Sequence, residues 1–354
     1  MNIILQRYIK VIVNIPKNGH NMSSKPNFLI KWPAFLWCLK IFTYSAILTA
    51  LLALASYAIM TMLAEPVTIN ETIDRAASAA TSKVQRGAVY VGITWSVFLF
   101  NSLAALTASA GTALFVYLNR YLLKDITSRR QHHNYAKISI AMERGLYPIY
   151  RVLEWPAERF FGFRSINTQT AENSVWNYTG YSRYHFQLLT AIVPFSVPLL
   201  VAAANGAILG MLFAFHLFNG AFSGYHLAGI NGIVGGVVYN VTFFISAILP
   251  HGIIEIPVIL VSTSIGYVIA DSNCRLVRDK HLFVSDNIAD LEADIATEER
   301  NTGTILFSPL FWKIYLLFVL LLLITAFIET EVTPDIITRA LSIVEPFVSS
   351  LLNS

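Results

Sequence analysis

The chain has 354 residues, 55% of them hydrophobic and 13% charged, with a formal net charge of +4. Soluble domains carry about 25% charged residues, so the composition excludes an ordinary soluble enzyme and describes a polytopic helical membrane protein. Cys38 and Cys274 are the only cysteines, too few for a disulfide framework or a thiolate metal site. The basic residues sit beside apolar runs, where they orient a membrane protein, and nucleic acid is not expected as a partner.

Residues 1–34 read as a retained cytoplasmic arm. Arg7, Lys10, Lys17, Lys25 and Lys31 face no acidic residue there, and no small-residue cleavage pattern follows the first apolar run. Residues 35–119 hold two spans, about Phe35 to Leu63 and about Ala88 to Leu118. Each matches the roughly 20 apolar residues that one crossing needs. Between them, Glu65 to Arg86 balances three acids against three bases and is expected outside. Residues 120–184 form a basic loop, expected in the cytoplasm, with Arg129, Arg130, Lys137, Arg144, Arg151, Arg159, Arg164 and Arg183. Within it, Tyr135 to Phe163 mixes apolar and charged positions at near-helical spacing. That pattern predicts an amphipathic stretch lying on the cytoplasmic leaflet.

Residues 185–270 are the membrane core and pose a parity problem. Arg275, Arg278 and Lys280 at the exit again favour the cytoplasm, so the block must cross an even number of times. Hydropathy offers three pieces, His185 to Phe218, Ile230 to Leu249 and His251 to Ala270. Either one piece re-enters, or the first is split into half-spans, or a loop has atypical charge. The first two readings put irregular backbone at membrane depth, tolerated only where protein buries it or a cavity adjoins it. Residues 271–304 read as a polar cytoplasmic helix and loop, with Ile288, Leu291 and Ile295 spaced for one helical face. Residues 305–354 supply a last span ending near Ile328, then an acidic tail. The fold expected is all-α, with five or six transmembrane helices and a broken or re-entrant element.

The chemistry-bearing residues lie in the core. Leu249-Pro250-His251-Gly252-Ile253-Ile254-Glu255 places an imidazole and a carboxylate four residues apart in an apolar stretch. Intramembrane ionisable residues are costly and mark functional sites. Pro250 suits a first helical turn, which would put His251 and Glu255 on one face, one turn apart. Glu255 then either satisfies the N–H groups of a buried helix start, with His251 as partner, or handles protons or cations in a cavity. Two ligands are too few for structural zinc; His216 and His226 are the nearest further candidates, and no metal site or cofactor is expected. Without an HExxH-type motif, a phosphate-binding glycine loop or a nucleophile elbow, no catalytic residue is assigned. Asn205 and Asn240 extend the polar lining around His251 and Glu255. Gly206, Gly210, Pro250, Gly252, Pro257 and Gly266 are expected to break or closely pack helices.

The Asn205-Gly206 pair and the Pro-His-Gly-x-x-Glu-x-Pro string over residues 250–257 resemble the stage II sporulation protein M family. The likeness covers roughly Phe186 to Asp279, about a quarter of the chain. Ser262 to Gly266 and Arg275 match its following segment loosely. The resemblance implies an integral membrane protein without known catalysis, of a family whose namesake scaffolds cell-wall hydrolases. The two preceding spans, the long basic loop and the polar insert depart from the short family pattern.

The expected function is a non-enzymatic scaffold or subunit of a membrane assembly in the inner membrane, its N-terminus cytoplasmic. Its partners would be membrane lipids and other membrane proteins or further copies of itself. The rival is a transporter or channel whose path is lined by Asn205, Asn240, His251 and Glu255, and a third reading is an intramembrane metalloenzyme.

Overall fold

The computed structural model describes residues 29–63, 67–145, 147–163, 173–180 and 182–352. Most of the expected N-terminal arm, and Arg164 of the basic loop, lie outside them. Among the described residues every regular element is helical. Four helices are long and apolar enough to cross a membrane.

The first, α1 (Trp32–Met62), starts with a proline in its first turn, where the missing N–H costs nothing. The polar helix α2 (Val67–Val91) follows, and Gly92 at φ +84° separates it from α3 (Ile93–Gln131). Ser96 donates to the carbonyl of Val84 at 2.6 Å, pinning α2 back along α3. Because α3 has 39 residues, it is about 58 Å long, nearly twice the hydrocarbon thickness. Its far end, with Arg129 and Arg130, stands in a polar head.

That head gathers α4 (His133–Arg144), α5 (Tyr147–Pro156), α6 (Arg183–Ile192) and a later helix, α8 (Ile288–Leu306). Its core joins Leu123 and Ile126 of α3 with Tyr150, Trp176, Phe186, Phe283, Leu291 and Ile295. Arg129 is buried between two carboxylates, donating to Glu143 and Asp125 at 2.5 Å each. The amphipathic stretch is therefore folded on one face: Tyr150, Ala157 and Phe163 are core, whereas Met142 and Trp155 are 75% and 66% exposed. The predicted polar helix begins at Ile288, capped by Asn287, and buries Leu291 and Ile295.

The third apolar block becomes α7 (Ser196–Asp279), which is two arms. Ala228 (φ −146°) and Gly229 (φ +62°) interrupt the helix, so residues 196–227 (α7a) and 230–279 (α7b) fold back on each other. A Cβ on Gly224 would stand 1.9 Å from the carbonyl oxygen of Gly232, and one on Gly220 2.4 Å from that of Gly236. Backbones this close exclude every larger residue. The block therefore folds as a hairpin of two antiparallel arms.

One expectation is corrected. No helix starts at Pro250; Pro250 and Pro257 both lie inside α7b. Each proline forfeits one backbone hydrogen bond, about 3 kcal/mol with its steric cost. A new helix start would orphan several N–H and C=O groups in apolar surroundings, at several kcal/mol each. Continuity wins.

The remaining rod is α9 (Pro309–Phe327), a π-helical turn (Ile328–Val332) and α10 (Thr333–Leu352). Directions follow from paired contacts. Gly206 and Gly210 of α7a meet the backbone of Phe42 and Ala46, so α1 and α7a run parallel. Gly266 meets the backbone of Ala108 on α3, and farther along Asn273 and Asn119 share one partner, so α7b runs parallel to α3. Tyr315 donates to Ser102 while Thr330 meets Thr94, so α9 runs against α3.

These close approaches predict a sharp contrast between glycines. A Cβ on Gly210 would lie 2.0 Å from the Ala46 carbonyl oxygen, and one on Gly303 meets nothing nearer than 3.6 Å. Thermal unfolding in detergent should show Gly210→Ala destabilised by about 1–3 kcal/mol, with Gly303→Ala unchanged or slightly stabilised.

Candidate functional site: an intramembrane triad

His251 and Glu255 project from adjacent turns of α7b, and Glu329 reaches them from the π turn between α9 and α10. One ligand-type atom from each lies within 4.8 Å of the others. Among the described residues, no ion pair involves Glu255 or Glu329. Nδ1 of His251 is buried without a hydrogen-bond partner.

Local irregularities place these groups. A π turn inserts one extra residue into a helix, and here threonine hydroxyls add hydrogen bonds to its carbonyls. Thr330 donates to the carbonyl of Ala326 and Thr333 to that of Ile328, at 2.9 Å each. The Thr330 hydroxyl also meets that of Thr94 at 2.8 Å, tying the turn to the start of α3 just after the break at Gly92. Such turns recur at functional sites.

A cavity of about 140 Å³ opens beside the triad between α1, α7a and α7b. Its wall is apolar, from Phe42, Ile208, Leu212 and Ile259, with Asn205, His251 and Glu255 as its polar groups. It has room for several water molecules. The Asn205 amide donates to the carbonyl of Val201 at 2.8 Å, which leaves its oxygen available to the cavity.

Of the polar residues picked out from sequence, Asn205, His251 and Glu255 thus converge. Asn240 does not join them: its amide donates to Gly236 at 3.1 Å, beside Gly220 in the α7 hairpin. His216 lies among Phe215, Phe243 and Phe244, and His226 against Phe222 and Tyr225. Gly206, Gly210 and Gly266 are backbone contact points between rods. Gly252 meets only Ile248 and Ile256 of its own helix. Sequence reading missed Glu329, 74 positions beyond Glu255 and assigned to the edge of an acidic tail. Its one signal was a carboxylate directly following a long apolar run.

A second buried carboxylate also went unrecognised. Glu298 of α8 is fully buried at the junction of head and rods. Asn119 donates to it at 2.8 Å from α3, and Asn273 donates from α7b. Burial pushes its carboxyl up to about 7, the two amide hydrogen bonds oppose this, and the nearby charges of Glu299 and Asp294 add to it. Its spacing, three residues after Ile295 and seven after Leu291, puts it on the buried face of α8, a signal that its charge obscured.

Compared with known families, residues 160–334, about half of the chain, match the model of stage II sporulation protein M. The matched segment contains His251, Glu255, Glu329 and Glu298. Neither the curated proteins nor the solved structures searched gave a match.

Glu298 makes a pH-dependent contribution of predictable sign. Its folded value of about 7 exceeds its ordinary value of 4.5, so the folded chain binds the proton more tightly. The contribution is complete below about pH 4.5 and is lost as pH rises to about 7, at most roughly 3 kcal/mol. Thermal unfolding of wild type and Glu298→Gln across pH 4.5 to 8 should show the wild type losing stability relative to the variant through this window.

Proposed function

We propose that this chain, built around a stage II sporulation protein M domain, is a non-enzymatic subunit of a membrane assembly. It would sit as a multi-pass protein in the inner membrane, with the head and the N-terminus on the cytoplasmic side. The charge pattern supports that orientation, because the head bears the Arg and Lys excess.

The observation behind the assembly role is the exposed apolar face of the head. Met142 on α4, and Val152, Trp155 and Phe160 on segments whose opposite faces form the head core, are all about two-thirds exposed or more. An apolar face of this kind on a folded body marks an interaction surface. The head is also held to the rods through buried groups, so a partner docked there is fixed relative to the membrane. Lys137, Arg144, Arg151 and Arg159 lie on the same segments and suit an anionic lipid surface beneath that partner.

The transport reading keeps a specific observation of its own, the cavity at Asn205, His251 and Glu255. In it, the cavity is a segment of a path and Glu255 its gatekeeping charge.

Two experiments separate these readings. Purification from native membranes in mild detergent should retain a foreign subunit in fixed stoichiometry, and Met142→Asp with Trp155→Asp should release it from a still-folded chain. A homogeneous preparation without companions would sink the assembly reading. Under the transport reading, proteoliposomes should show cation or proton flux that Glu255→Gln abolishes; unchanged flux in that variant would rule it out.

A further inference from the structure

Two carboxyl groups and an imidazole meet inside apolar rods where, among the described residues, no lysine or arginine pairs with them. Two carboxylates this close in apolar surroundings must either take up protons or share a cation. The third group has the chemistry to help supply a cation site. An imidazole nitrogen with no partner is a neutral donor, and nothing in its surroundings uses the lone pair or the N–H on Nδ1.

We propose that His251, Glu255 and Glu329 form a binding site for one divalent d-block cation of the zinc or manganese class. The donor set is one nitrogen and two carboxylate oxygens. All-oxygen sets suit magnesium and calcium, whereas a mixed imidazole–carboxylate set suits zinc, manganese or iron. Donors around a four-coordinate ion at these bond lengths stand about 3.5 Å apart. The present separations, all within 4.8 Å, close to that by rotation of two carboxyl side chains. Three protein ligands leave further coordination positions open, and the cavity provides space for water to fill them. An ion placed here would staple α7b to the π turn, adding a cross-link between two rods that otherwise touch through apolar and small residues.

The position of Glu329 makes this more than chance proximity of acids. In an unbroken α-helix, residue 329 would keep the register of α9; the π turn shifts it, and the Thr94–Thr330 contact holds the shifted turn in place. The inference is independent of both the assembly and the transport readings, since an ion can brace the rods, occupy a path, or both.

The test uses the full chain in mild detergent, stripped with a chelator and titrated with Co²⁺ and Zn²⁺. Elemental analysis should find one Zn²⁺ per chain after gel filtration. Co²⁺ should give visible absorption bands of a site with nitrogen and oxygen ligands, and Zn²⁺ should raise the unfolding temperature in a concentration-dependent way. Glu329→Gln should weaken binding at least about tenfold. Glu329→His, which keeps a ligand at that position, should bind Co²⁺ with altered bands and so guards against a merely misfolded Gln variant. The proposal is overturned if the folded wild type retains no ion and its unfolding temperature ignores Zn²⁺. It is equally overturned if Glu329→Gln and wild type titrate identically, which would leave the triad as a proton-sharing carboxyl pair.

Discussion

Backbone hydrogen bonding in apolar surroundings governs this molecule. With no water to take up a freed N–H or C=O, interrupting a helix costs several groups at once, and continuing it through a proline costs one. Pro250 and Pro257 are absorbed within α7b for that reason. The one interruption in α7 sits at Ala228-Gly229, at the tip of the hairpin, where Gly229 supplies the positive φ that a side chain would oppose. The long rods, their reversal and the depth of the triad all descend from this constraint.

Unbroken rods can associate only side by side, and the apolar medium gives them little reason to do so through hydrophobicity alone. Close backbone contact substitutes for it. Gly206 and Gly210 seat α7a on α1, Gly220, Gly224, Gly232 and Gly236 zip the hairpin, and Gly266 seats α7b on α3. Between these seams the larger side chains leave the cavity beside Asn205. Polar chemistry collects where regularity fails: the Gly92 break, the two internal prolines and the π turn all lie close to His251, Glu255 and Glu329.

The sequence made the all-helical membrane architecture legible because apolar run length maps directly onto crossing length. The third block folds into two arms, a number compatible with the basic residues Arg275, Arg278 and Lys280 at its exit. The hairpin tip was harder to place, since Pro250 is a louder breaker in sequence than Ala228-Gly229. Proline's effect depends on what the alternative costs, and composition does not reveal the solvent around a given residue. His251 and Glu255 were visible as charges in an apolar run. Glu329 and Glu298 were not, because each joins its site through tertiary contact: one by a π turn that shifts register, the other by two asparagines 154 positions apart. Asn240 failed the opposite way, sharing a helix with His251 while bonding Gly236 in its own turn and His216 across the hairpin.

One rod links the polar sites. α7b presents His251 and Glu255 near its middle and Asn273 to Glu298 lower down; 273 minus 255 is 18 residues, about 27 Å along the axis. At its base Arg278 donates to the carbonyl of Phe161 at 3.1 Å, and Phe161 closes the π turn Ala157–Phe161 of the head. The helix therefore touches both π turns among the described residues, one through an arginine and one through the triad. Head and membrane site are thus joined by geometry, through a single helix that neither proline was able to break.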